Sequence, residues 1–246
     1  YYTERKQWKG PPRQHIREIR MNYFTEEKNL RKASTDLLPP DTILMNLARE
    51  EDDIFMSMRQ NTRNCIRRAY RHGVTVRDVP IEYLPDWYEL YRQTAARKNI
   101  TAHRYDYFYS LFTAAESYSS RTDENGVVPV FKLLIATQGG DILSGMILGI
   151  HGKTAYYLYA GSSMKKRHFM PNYRLLWEAI KIARSMGCSR YDLFGIPPNN
   201  DPGHVQHGLY TFKTGFGGNI IHYRGCWDYP LDECLYSTIK NVESFH

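Results

Sequence analysis

The sequence predicts a mixed α/β fold, a mixed sheet flanked by helices. Three observations predict it. Apolar residues recur at helical spacing over 84–98 and 172–187. Three strand-like runs, 128–137, 142–150 and 154–160, are joined by the turn sequences Gln-Gly-Gly-Asp and His-Gly-Lys, both suited to hairpins. Strand and helix patterns then alternate to the end of the chain.

Taken in order, residues 1–35 are polar, basic and weakly periodic. "PPDTILMNL" (39–47) reads as a proline-set turn entering a strand. Residues 49–73 read as one helix, with acidic residues at its start, arginines at its end and Gly73 as its stop. On it Arg59, Arg63 and Arg67 lie four apart and share a stripe, either a phosphate-contacting face or a solvated one. "VTVRDV" (74–79) alternates as a strand. The helix over 84–98 aligns Trp87, Leu90, Tyr91 and Thr94, and 105–116 continues as a second helix. After the three strands, 172–187 turns Leu176, Ala179, Ile180 and Ala183 inward and stops at Gly187. A strand (190–194), a Pro/Asn/Gly/His loop (195–207), a short helix "GLYTFKTGFGG" (208–218) and a strand (219–227) follow, then a helix from Asp232. From residue 74 the order is β-α-α-β-β-β-α-β-α-β, which is that of the GNAT acyltransferase fold.

Composition narrows the class. A chain of 246 residues can bury one large core or two modest ones. Its 20 tyrosines suit a folded protein rather than a disordered one. No apolar run approaches the ~18–20 residues of a membrane span, and "YYTERKQWKG" has no apolar signal core. Cys65, Cys188, Cys226 and Cys234 form no C-x-x-C pair, which favours reduced thiols over zinc. Lys plus Arg number 33 against 26 Asp plus Glu, a surplus of 7 that attracts polyanions. There is no Walker loop, dinucleotide fingerprint or G-x-S-x-G elbow.

"YYLYAGSS" (156–163), "MPNYRLLWEAIKIARSMGCSRYDLFGIP" (170–197) and "GLYTFKTGFGG" (208–218) together resemble the Fem family, the peptidoglycan interpeptide-bridge aminoacyltransferases. "MRQNTRNCIRRAYRHGVTV" (58–76) and "ARKNITAHRYDYFYSLF" (96–112) resemble the same family, so the likeness runs over roughly 38–240. The resemblance implies two GNAT-like domains. Residues 74–223 would be a complete second domain, and 1–73 with 224–246 a partial first one. Typical members carry about a hundred further residues ahead of this point, against ordinary domain sizes.

It also implies an activity: moving an amino acid from aminoacyl-tRNA onto a stem-peptide amine of lipid II or UDP-MurNAc-pentapeptide. No metal and no cofactor is expected, because the ester is already activated, and the expected location is the cytoplasm near the inner membrane face. The resemblance places Lys213 at the reaction centre, with Phe212 as a shaping neighbour. A cation between Phe212 and Phe216 would act in a lowered dielectric; a helix-end lysine facing carbonyls near Gly217–Gly218 is the other reading. Arg104, with Tyr107 or Phe108, would hold the precursor diphosphate, together with Tyr157 and Tyr159, which alternate onto one face of their strand. Lys165, Lys166 and Arg167, just before a helix N-terminus, and Arg63 and Arg67 would meet the tRNA.

Asp192 is a candidate general base or a strand aspartate satisfying backbone amides. Asp201, His204 and His207 have only a vague metal-ligand pattern. Two rival functions remain: a GNAT-type N-acyltransferase using acyl-CoA and a small amine, and a non-catalytic RNA- or precursor-binding module. Against acyl-CoA, the loop before residue 171 has no glycine trio to cradle a pyrophosphate.

Overall fold

The structure is a computed structural model that describes residues 30–34, 36, 39–119, 128–230 and 232–243. The chain forms two compact units, 42–221 and 1–41 with 222–246. The boundaries expected from the sequence were 73/74 and 223/224. The difference lies in residues 42–73, whose strand and helices build the larger unit.

The elements of that unit alternate as expected. They are β2 (Asp41–Asn46), α1 (Glu51–Ser57), α2 (Gln60–Arg71), β3 (Thr75–Val79), α3 (Leu84–Lys98), α4 (Tyr105–Ser119), β4 (Val130–Gln138), β5 (Asp141–His151), β6 (Thr154–Ser162), α5 (Pro171–Ser185), β7 (Arg190–Asp192), α6 (His207–Gly215) and β8 (Asn219–His222). The strands form a seven-stranded sheet in the order β3-β4-β5-β6-β7-β2-β8. It is mixed: β3 to β6 pair antiparallel in sequence, β6 and β7 pair parallel, and β2 returns antiparallel to β7.

Alternation along β4 divides the interior. Leu134 and Ala136 join the core under α2 and α5, where Ile66, Ala69, Leu176, Ala179, Ile180 and Ala183 pack. Leu133 and Ile135 join the core under α3 and α4, where Leu84, Trp87, Tyr91 and Phe108 pack. Each buried Leu, Ile or Phe among them contributes about 1.5–3 kcal/mol. The α3 helix stops at Asn99, in the left-handed conformation at φ 50°.

The single helix expected over 49–73 is two. Met58 and Arg59 are extended. The amide of Arg59 leaves the helical ladder to donate to the Gly215 carbonyl (2.9 Å), and Met58 turns into the core at 2% exposure. Helical spacing alone cannot register a backbone bond to a residue so far along the chain. The strand expected over 219–227 is likewise divided into β8 and the two-residue β9 (Trp227–Asp228), which lie in different sheets.

In the smaller unit, β1 (Arg31–Lys32) pairs antiparallel with β9. The α7 helix (Glu233–Glu243) is tied by Lys240–Asp228 at 2.9 Å and Arg31–Glu233 at 2.7 Å.

Gly161 on β6 sets the seating of α3. A Cβ there would meet the backbone carbon of Leu90 and the amide nitrogen of Tyr91, both at 2.5 Å. Backbone cannot swing aside as a side-chain end can, so Gly161→Ala is expected to lower unfolding free energy by about 1–3 kcal/mol. Denaturant midpoints at unchanged m-value would measure it.

Candidate active site

The sheet opens between β6 and β7. Their parallel pairing covers Thr154–Arg190, Ala155–Tyr191 and Tyr156–Asp192 and then ends. The β6 strand runs on to Ser162, whereas the chain after β7 swings to β2, the amide of Leu193 donating to the Ile43 carbonyl (2.9 Å). Phe194 then turns in the left-handed region, φ 59°. That conformation is uncommon outside glycine.

Lys213 reaches into this opening from α6. Its Nζ donates to the carbonyls of Gly195 (2.9 Å) and Phe194 (3.3 Å) and lies 5.1 Å from the centre of the Tyr157 ring. Tyr157 is the first β6 residue beyond the paired stretch. Lys213 is only 4% exposed. Burial lowers its pKa from 10.5 to about 7; the Asp192 carboxylate raises it and the Lys98 charge lowers it further. The group is thus a buried amine poised between its two protonation states near neutrality, not a solvated helix-end ammonium.

The aromatic company differs from expectation. The ring facing the ammonium is that of Tyr157, while Phe212 and Phe216 pack with each other (5.3 Å) and with Tyr173 (5.0 and 5.9 Å). Helical geometry explains it, since neighbours in sequence lie about 100° apart around a helix. The closing glycines, at φ 83° and 91°, let the chain pass close to β2, where a Cβ on Gly218 would meet the Leu44 carbonyl oxygen at 2.9 Å.

Tyr157 and Tyr159 do not share a face. In the β5–β6 register Ile147 pairs with Tyr159 and Leu148 with Tyr157, leaving Leu158 as a bulge. Tyr157 therefore packs on the core under α5, and Tyr159 on the core under α3 and α4. The Tyr159 hydroxyl shares a hydrogen bond with that of Tyr107 (2.9 Å). Burial and this bond push its pKa up; burial does the same for Tyr157. His103 stacks on Tyr107 at 4.7 Å. Phe108 is fully buried, edge-on to Trp87, Tyr91 and Tyr159, so it backs this surface rather than lining it. Arg104 projects outward with its side chain 87% exposed, bonded to Asp106 at 3.1 Å.

The basic residues divide by partner. Lys165 and Lys166 both pair with Asp141 (3.2 and 2.9 Å), and Lys166 also donates to the Gln138 side chain (2.7 Å), closing the β4–β5 turn. Arg63 donates to the carbonyls of Met56 (3.0 Å) and Met58, fastening the end of α1. Arg67 lies over the Phe55 ring (5.2 Å), and Arg167 contacts the Met164 sulfur (3.7 Å). The two sequence-distant clusters meet where His72, at the end of α2, stacks on Phe169 at 4.2 Å. Arg67 and Arg71, with Asn64 and Tyr70, line a shallow pocket on α2.

Among the described residues no three His, Cys, Asp or Glu side chains gather as metal ligands. His207 pairs with the Asn200 side chain (2.9 Å), and His204 accepts the Gln206 amide (3.0 Å). The sequence reading missed the Phe194 and Gly195 carbonyls, because backbone acceptors leave no residue-type signature, and it also missed His103. Only the "YDLFG" run, with Asp192 two residues before a turning Phe194, hinted at the turn.

The chain is similar to known proteins in sequence and in fold. The FemAB family profile matches residues 29–120 and 130–244. A lipid II:glycine glycyltransferase of Staphylococcus haemolyticus is 24% identical over an alignment of 265 positions, covering 85% of this chain and 63% of the relative. Its counterpart in Staphylococcus saprophyticus is 38% identical over 104 residues, 42% of this chain and 25% of the relative. This chain therefore spans under two thirds of the length of these relatives. Among solved structures, that of FemX superposes with a TM-score of 0.73 at 21% identity, covering 85% of this chain and 66% of FemX. L-PGS from Bacillus licheniformis superposes at 0.51 with 13% identity, covering 82% of this chain and 63% of that one. Matched by the profile through both of its long stretches, the chain belongs to the FemAB family.

Proposed function

We propose that this chain carries the transfer centre of a peptidoglycan-bridge aminoacyltransferase. It would move an amino acid from aminoacyl-tRNA onto the stem-peptide amine of a precursor such as lipid II. The observation that carries the reading is the buried Lys213 amine in the opening between β6 and β7. Family membership and the names of the relatives, lipid II:glycine glycyltransferases, support the precursor and the reaction class.

In this reaction the precursor amine attacks the ester carbonyl carbon. A C–N bond forms, the C–O bond to the tRNA ribose breaks, the amine gives up a proton and the departing ribose oxygen takes one. The tetrahedral species carries a negative oxygen. Lys213, in a low-dielectric site, stabilises that charge far more than a solvated lysine would. The Phe194 and Gly195 carbonyls aim the ammonium, and Tyr157 shields it. On the opposite face of β6, the Tyr107–Tyr159 hydroxyl pair, His103 and the outward guanidinium of Arg104 would offer bonds to a sugar-linked diphosphate. Arg67 and Arg167, which have no carboxylate partner among the described residues, are the better placed of the five basic residues to meet tRNA phosphates. Lys165 and Lys166 reach an RNA only by competing with Asp141.

Lys213→Met is expected to reduce turnover about 10²–10³-fold, the scale for losing an oxyanion-stabilising group, with precursor binding retained. Transfer of radiolabelled amino acid from charged tRNA, alongside calorimetric binding of UDP-MurNAc-pentapeptide, measures both. Turnover within a few-fold of wild type would remove Lys213 from the chemistry, and coenzyme A binding in the same calorimeter would favour acyl-CoA as the donor.

The same burial fixes a pH dependence of stability. Below pH 7 the lysine is charged folded and unfolded, and the folded protein bears the full desolvation penalty. Between about 7 and 10.5 the unfolded chain keeps a proton that the folded protein has released, so raising the pH favours folding. Relative to Lys213→Met, wild type is expected to gain about 5 kcal/mol across that window, at about 1.36 kcal/mol per pH unit. Denaturant unfolding of both proteins at a series of pH values tests the sign.

A further inference from the structure

We propose that Asp192 is the positioning residue of this site, fixing the turn whose carbonyls hold Lys213 and placing a buried negative charge within the field of its ammonium. The proposal rests on the reading of Lys213 as the charge donor to the oxyanion.

Asp192 ends β7 and is 4% exposed. Its Oδ1 accepts the Thr42 hydroxyl (2.5 Å) and the amide of Phe194 (2.9 Å). The second bond spans two residues and favours a turn of the Asx type. It holds Phe194 at φ 59°, a conformation that a phenylalanine rarely adopts and that needs an outside constraint. Thr42 supplies that constraint from β2, so one carboxylate oxygen is held by two donors. With Phe194 so turned, two consecutive carbonyls, 194 and 195, converge on Nζ of Lys213. The Tyr156 ring, 5.8 Å from that of Phe194, braces the turn from β6.

The groups facing Lys213 come from three elements. Lys98 at the end of α3 opposes its charge, Asp192 on β7 favours it, and Tyr157 on β6 presents a ring and a hydroxyl that burial keeps protonated. Among the described residues, Asp192 is the carboxylate that acts on the lysine.

Two substitutions separate charge from turn. Asp192→Asn keeps an oxygen for both hydrogen bonds and removes only the charge. Thr42→Val keeps the charge and removes one donor that screens it. The readout is the titration of Lys213 in protein labelled at lysine 13Cε, its resonance assigned by its loss in Lys213→Met. Asp192→Asn should move the midpoint down by about one unit, and Thr42→Val should move it up. The alkaline fall in transfer rate should follow each shift. A residue that only held the fold would move both midpoints the same way or not at all, and either result overturns the proposal. The Thr42→Val arm stands even where Asp192→Asn fails to fold. Opposite NMR shifts with an unchanged pH–rate profile would retain Asp192 as the positioning group and reject Lys213 as the charge donor, so the two readings fail separately.

Discussion

Three residue pairs join β6 to β7, and the site follows from their being so few. Longer pairing would bring Tyr157 and the residues after it into hydrogen bonding with the chain beyond Asp192. No room would then remain for an amine from α6. The parting is held open from the far side, where Leu193 takes its partner from β2. Residues 42–46 therefore belong to the sheet as fully as any strand after them. The lysine seated in the gap opposes stability near neutral pH, since a buried ammonium forfeits hydration that two carbonyls and a ring only partly replace.

What the sequence disclosed was what local periodicity encodes. The helix over 84–98, the two hairpins and the inward residues of α5 were legible because each depends on spacing within one segment. What escaped depends on partners distant in the chain. The break at Met58 follows from a carbonyl at residue 215. The ring opposite Lys213 lies on β6, not beside it on α6. The alternation rule failed for Tyr157 and Tyr159 because a bulge adds one residue, and nothing in "YYLYAG" marks which residue is extra. The lysine itself was legible through its motif, whereas its surroundings were not.

The basic surplus has a similar lesson. Counted along the chain, Arg63, Lys165 and Lys166 look equivalent to Arg67 and Arg167. In the fold the first three hold carbonyls or Asp141 and serve as fasteners, so the count of 33 Lys and Arg overstates the side chains free to meet a polyanion.

The bulge at Leu158 has a wider meaning. It lets one strand serve two chambers, because consecutive aromatic side chains look into different halves of the interior. Side-chain changes on the Tyr159 side need not disturb the ring that faces Lys213 on the Tyr157 side.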